Sequence, residues 1–239
     1  MIKVQIREEE GKDRCLPVMI FLPGFGDTVH SRSLNKLIKN LTSISSKVVI
    51  ITSEETDRYP KGVSLYETHA EAIFANCRQF IKRSVIVGYS EGGLKAVWLT
   101  RIAQESGEAP AKTILLESVG LYKQSTLGLM AKFFLSGLLS IWRAEVIMTF
   151  MDVIWLIIRR AILRGKVLQM AREAKEMSCP TSLIGITVPV IAISCRRDLI
   201  SNPDRISLTV RKVVVKGWRY GHEFPVVFPE KLIRIITGL

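Results

Sequence analysis

Six short runs of aliphatic and β-branched residues constrain this chain more than any other feature. They are PVMIFLP (17–23), KVVIIT (47–52), SVIVGY (84–89), KTILLES (112–118), PVIAISC (189–195) and RKVVVKG (211–217), each bounded by Gly, Pro or polar residues. Apolarity is nearly unbroken within them, the pattern of parallel strands covered on both faces. VQIREE near the start alternates instead, which predicts an edge strand. Helical patterns separate the runs, over 64–81, over 91–105 directly after Ser90, and from near Pro229 to the end. Strands alternating with helices predict an α/β class, with a mostly parallel, doubly wound sheet and right-handed crossovers.

One interval breaks this rhythm. About seventy residues lie between the runs at 112–118 and 189–195, far more than one crossover helix requires. They read as apolar helices over 124–142, 144–163 and 165–177, so 121–186 is expected to be a helical insertion on a core made of 1–120 and 187–239. With 239 residues, 48% of them apolar, the chain can build one large core, and general disorder is excluded. Within the apolar stretch 121–170 the longest uncharged run is FFLSGLLSIW (133–142), half of the roughly 20 residues that span a bilayer. The charged N-terminus, MIKVQIREEEGKDR, has no apolar signal core, and a cytoplasmic location is expected. Cys15, Cys77, Cys179 and Cys195 are far apart and show no CxxC spacing, so no metal or redox motif is read, and a reducing compartment suits them.

The net charge of +12 raises nucleic-acid binding as a function class. The basic residues are spread along the whole chain without a dense block, however, and no zinc-finger or RNP-like spacing occurs. Specific nucleic-acid recognition is therefore not expected, whereas attraction to an anionic membrane surface fits the same charge.

The chemistry starts in GYSEGG (88–93). Ser90 lies between a predicted strand and a predicted helix, with Gly88 and Gly92 flanking it in a G-x-S-x-G pattern. A sharp strand-to-helix turn exposes a serine hydroxyl and tolerates little bulk beside it, while the helix N-terminus offers unpaired N–H groups. A glycine-rich turn with an ordinary serine is the plain alternative. A nucleophilic serine needs a base. Of the three histidines, His30 sits in the loop after the first long run, His69 falls inside a helix, and His222 lies just past the last strand, where catalytic groups of open α/β sheets gather. Asp198, just past the run at 189–195, is the preferred orienting acid, and Glu117 at the end of 112–118 competes for the role. FLPGFGD (21–27), with Gly24 and Gly26, would bring backbone N–H groups close to the serine. The expected oxyanion donors are the N–H groups of Phe25 and Glu91.

These residues resemble the α/β-hydrolase superfamily, in particular its small capped serine esterases and monoacylglycerol-lipase-like members. The resemblance covers nearly the whole chain: LPGFGD for the oxyanion loop, GYSEGG for the nucleophile elbow, ITVPVIAISCRRD for the acid strand, and GWRYGHEF with PEKLIRII for the histidine loop and final helix. It implies acyl-ester hydrolysis by a Ser90–His222–Asp198 triad through an acyl-enzyme, with no metal and no organic cofactor. It also implies that 121–186 is the family's cap. Two departures stand out. Relatives usually carry His-Gly in the oxyanion loop where this chain has Pro23, and the N-terminal side looks short by one edge strand.

Substrate class rests on the cap. Residues 121–170 hold seven basic and two acidic residues among Leu, Ile, Phe and Met, with Trp142 and Trp155. That exceeds one buried stripe and suggests an acyl pocket, a lipid-facing lid or a homodimer surface. A short-to-medium acyl ester or a monoacylglycerol is the expected substrate. A thioesterase, perhydrolase, lyase or acyltransferase on the same fold stays open, as does a binding protein that keeps the fold without chemistry.

Overall fold

A computed structural model describes residues 2–55, 64–140, 167–178, 183–206, 210–216 and 221–239. The strands are β1 (Ile2–Glu10), β2 (Val18–Leu22), β3 (Lys47–Glu55), β4 (Val85–Tyr89), β5 (Lys112–Leu116), β6 (Val190–Cys195) and β7 (Arg211–Val215). They form one seven-stranded sheet in the order β1-β3-β2-β4-β5-β6-β7. All neighbours pair in parallel except β1, which runs antiparallel to β3 at the edge, as its alternation predicts.

Why the central runs lack alternation is visible in the packing. Met19, Phe21, Val48, Ile50, Val85, Val87, Ile114, Leu116, Ile191 and Ile193 point to one face. Ile20, Leu22, Val49, Ile51, Ile86, Leu115 and Ala192 point to the other. Both faces are buried, so each consecutive residue must be apolar. The first face is covered by α1 (Asn35–Thr42) and α7 (Pro229–Thr237), which follows the short α6 (Phe224–Val227). The second is covered by α2 (Leu65–Ile81) and α3 (Gly92–Glu105).

Inserted between β5 and β6 are α4 (Thr126–Ser140) and α5 (Val167–Met177). They begin and end close to the expected helices at 124–142 and 165–177, whereas the expected helix at 144–163 lies outside the described residues, with Trp142 and Trp155. Leu129 of α4 and Ala174 and Met177 of α5 close a third cluster with Tyr66, Leu94, Val119 and Ile200, above the carboxyl ends of the strands. Glu176 fastens α5 to the core: its carboxylate accepts the Leu65 N–H at 2.8 Å and the Ser64 hydroxyl at 3.2 Å, so α5 helps cap α2. Among the described residues no helix is long and apolar enough to cross a membrane.

Candidate active site

β4 ends at Tyr89, and the chain turns sharply through Ser90 into α3. Ser90 takes a left-handed φ of 53°, a conformation that is costly for a residue with a side chain. It is held there from both sides. Its N–H donates to the Leu116 carbonyl at 2.9 Å, and its own carbonyl accepts from the Gly93 N–H at 3.1 Å and the Val119 N–H at 3.3 Å. The surrounding glycines are steric necessities. A Cβ at Gly88 would stand 2.7 Å from the Ala96 Cβ and equally close to the Gly92 carbonyl oxygen. A Cβ at Gly92 would run into the Leu22 and Pro23 carbonyl oxygens, and one at Gly93 into the Ser118 side chain. Gly93 therefore lets α3 sit against the end of β5, one strand further than the strand that leads into it.

The three side chains singled out in the sequence converge. Ser90 Oγ lies 2.8 Å from His222 Nε2, and His222 Nδ1 lies 2.9 Å from Asp198 Oδ2. Asp198 Oδ1 accepts the Ile200 N–H at 2.7 Å, which fixes the carboxylate in its loop. All three are buried, at 4%, 5% and 3% exposure for Ser90, His222 and Asp198, so water does not screen the chain of hydrogen bonds. Burial pushes the Asp198 carboxyl up, but the charge and hydrogen bond of His222, with the Glu117 carboxyl and the Ser201 hydroxyl beside it, hold it well below the usual carboxylate range. For His222 burial lowers the pKa, yet the charge and hydrogen bond of Asp198 and the charge of Glu223 bring it above the ordinary 6.5. The other two histidines stay apart: His30 is exposed, and His69 is buried with its Nδ1 2.7 Å from Ser53 Oγ.

Two aromatic residues that the sequence did not flag frame the imidazole. Tyr89 stacks on it at 5.9 Å between ring centroids, with its hydroxyl donating to the His222 carbonyl at 3.3 Å. Phe133 of α4 meets it edge-on at 5.8 Å. The expected oxyanion residues are adjacent to the elbow. Glu91 precedes the first turn of α3, where helix N–H groups have no intrahelical acceptor. Gly24, next to Phe25, packs so closely on the elbow that a Cβ there would be 3.2 Å from the Ser90 Cβ. A cavity of about 230 Å³ opens beside this loop, lined by Gly24, Gly26, Asp27, Glu91, Lys95 and His69 among others.

Glu117, the competing acid, is fully buried and does not bond His222. Its Oε1 accepts the Cys195 N–H at 2.8 Å, and its Oε2 lies 2.8 Å from Ser201 Oγ, which is itself 2.7 Å from Asp198 Oδ2. Donor atoms of Glu117, Asp198 and His222 lie within 4.8 Å of one another, the spacing of a metal site, but each is already engaged with a protein partner.

No family model matches this chain, and no curated relative matches it. Solved structures do. A probable hydrolytic enzyme from Pseudomonas aeruginosa superposes with a TM-score of 0.68 at 14% identity, over 99% of this chain and 89% of its own. A meta-cleavage product hydrolase from Pseudomonas fluorescens gives 0.66 at 15% identity, covering 99% and 93%. A thermophilic esterase from Thermogutta terrifontis gives 0.57 at 19% identity, covering 99% and 92%. Strand order, parallel pairing and these superpositions agree that the chain has the α/β-hydrolase fold.

Proposed function

We propose that the protein is a serine hydrolase of carboxylic esters, acting on a short-to-medium acyl ester or a monoacylglycerol. The observation that carries this reading is the unbroken Ser90–His222–Asp198 hydrogen-bond chain at the carboxyl ends of β4 and β6 and before α6. His222 Nε2 takes the Ser90 proton as Oγ attacks the ester carbonyl, and Asp198 stabilises the imidazolium that forms. The N–H groups of Phe25 and Glu91 receive the oxyanion, helped by the positive end of α3. His222 then protonates the departing alcohol, and, neutral again, takes a proton from the water that attacks the acyl-enzyme and returns it to Ser90 Oγ as the acid leaves.

The cavity beside the oxyanion loop is polar, with Asp27, Glu91, Lys95 and His69 on its wall, which supports a hydroxyl-bearing alcohol on that side. Phe133 on the imidazole supports an apolar acyl side. Exposed Leu127, Phe134 and Leu135 on α4, together with the +12 charge, support peripheral contact with an anionic lipid surface. Co-sedimentation with anionic liposomes that persists at low salt and weakens at high salt is expected.

The decisive test is covalent labelling of Ser90 by a fluorophosphonate, combined with p-nitrophenyl esters of increasing chain length and acyl-CoA substrates. Labelling with ester turnover is expected. No adduct on the wild-type protein overturns the hydrolase reading, and preferred turnover of acyl-CoA moves it to a thioesterase.

A further inference from the structure

The mechanism above uses Asp198 but leaves unexplained a second carboxyl directly behind it. Glu117 ends β5 with a left-handed φ of 44°, a conformation shared in this region only with Ser90 among the described non-glycine residues. Such backbone strain persists only where the surroundings enforce it. The side chain it directs inward is fully buried.

The hydrogen-bond count around it is restrictive. Ser201 Oγ, also fully buried, stands 2.8 Å from Glu117 Oε2, 2.7 Å from Asp198 Oδ2 and 3.3 Å from Ser194 Oγ. A hydroxyl has one proton to donate and two lone pairs to accept with. Asp198 Oδ2 already takes the proton of His222 Nδ1 and Oδ1 that of the Ile200 N–H, so Asp198 is the acceptor of this group. If Ser201 gives its proton to Asp198, two ionised carboxylates would leave Glu117 Oε2 facing a lone pair. Among the described residues, the groups acting on Glu117 besides Ser201 are Cys195 of β6, Tyr89 of β4, and Asp198 with His222 beyond it, and none but His222 can carry a positive charge. His222 is already committed to Asp198. The count closes if Glu117 carries its own proton.

We propose that Glu117 is a positioning residue, a neutral carboxylic acid that donates to Ser201 Oγ so that Ser201 in turn donates to Asp198. Asp198 then receives hydrogen bonds from both sides, from Ser201 behind and His222 in front, and its rotation is fixed. The other Glu117 oxygen accepts the Cys195 N–H and ties β6 to β5 at the point where the Asp198 loop begins. Burial, reinforced by the negative charge of Asp198, drives the Glu117 carboxyl well above the usual carboxylate range, in keeping with this assignment.

The effect on rate rests on the hydrolase reading, and the protonation state does not. Glu117→Ala is expected to lower kcat by up to about 100-fold with little change in KM, the size of effect that follows from a misplaced reacting group. Glu117→Gln, whose amide N–H₂ can donate to Ser201 while its carbonyl accepts from Cys195, is expected to recover most of that loss. Ser201→Ala is expected to behave like Glu117→Ala, and serves where the alanine at 117 fails to fold. Infrared difference spectra of wild type against Glu117→Gln at neutral pH should contain a protonated-carboxyl band assignable to Glu117, whether or not a substrate is known. A carboxylate band in its place overturns the proposal. So does a Glu117→Gln variant as impaired as Glu117→Ala, or a Ser201→Ala variant with unchanged kcat.

Discussion

Ser90 and Glu117 end adjacent central strands, β4 and β5, and both carry a side chain on left-handed backbone. One corner directs a hydroxyl toward the imidazole. The other directs a carboxyl toward the loop that holds the imidazole's partner. They are joined directly, since the Ser90 N–H donates to the carbonyl of Leu116, the residue before Glu117. The same strained turn thus serves reactivity at one strand and alignment at the next. The difference lies in what surrounds each: glycines that clear space around Ser90, and hydrogen-bond partners that fill the space around Glu117.

The comparison breaks first at the nucleophile. Ser90→Ala should cut kcat on the order of 10⁶-fold and abolish fluorophosphonate labelling while thermal unfolding stays close to wild type. Residual activity near wild type would assign the chemistry elsewhere. Asp198→Asn should lower kcat on the order of 10⁴-fold by disturbing the imidazole tautomer. It should also move the acid limb of kcat/KM. Because the base must be neutral, activity falls as pH drops through the His222 pKa, so the wild-type limb is expected above 6.5. Without the Asp198 charge, the limb should shift to lower pH. A pH–rate series on both proteins checks this.

Glycine replacements sharpen the contrast in stability. Gly92→Ala puts a Cβ against backbone carbonyls that cannot turn aside, and should cost on the order of 3 kcal/mol with loss of activity. Gly107→Ala meets nothing within 4 Å and suffers only from its φ of +74°, so about 1 kcal/mol is expected with activity retained. Chemical denaturation of the two variants separates crowding at the elbow from strain alone.

The sheet was legible because both of its faces are buried, which leaves an unmistakable apolar signature. Ser90, Asp198 and His222 were legible because strand ends are readable and few candidates of each type exist. α1 was not. Its eight residues, NKLIKNLT, present only Leu37, Ile38 and Leu41 to the core, too short a stretch for periodicity to emerge. The sequence favours Asp198 over Glu117 as the acid, but both follow strands, and it is the hydrogen bond to His222 that separates them. Ser201 and Phe133 carry no local signal at all. Their roles arise from contacts across 84 residues to Glu117 and from α4 to the histidine loop.

The two borders of the sheet carry a consequence for behaviour in concentrated solution. β1 presents an outer border nine residues long, bearing Lys3, Arg7, Glu8, Glu9 and Glu10, with Lys47 paired to Glu8 and Glu10. At the opposite border β7 is only five residues, and Val214 is exposed beside Arg211 and Lys212. An unpaired border is a template for strand addition by another molecule, and charge or brevity guards against it. The long border is guarded by charge of both signs and the short one by its length and two cations. High salt screens the charges on both borders and leaves only the brevity of β7, so the β1 side is where aggregates of this protein should begin to grow.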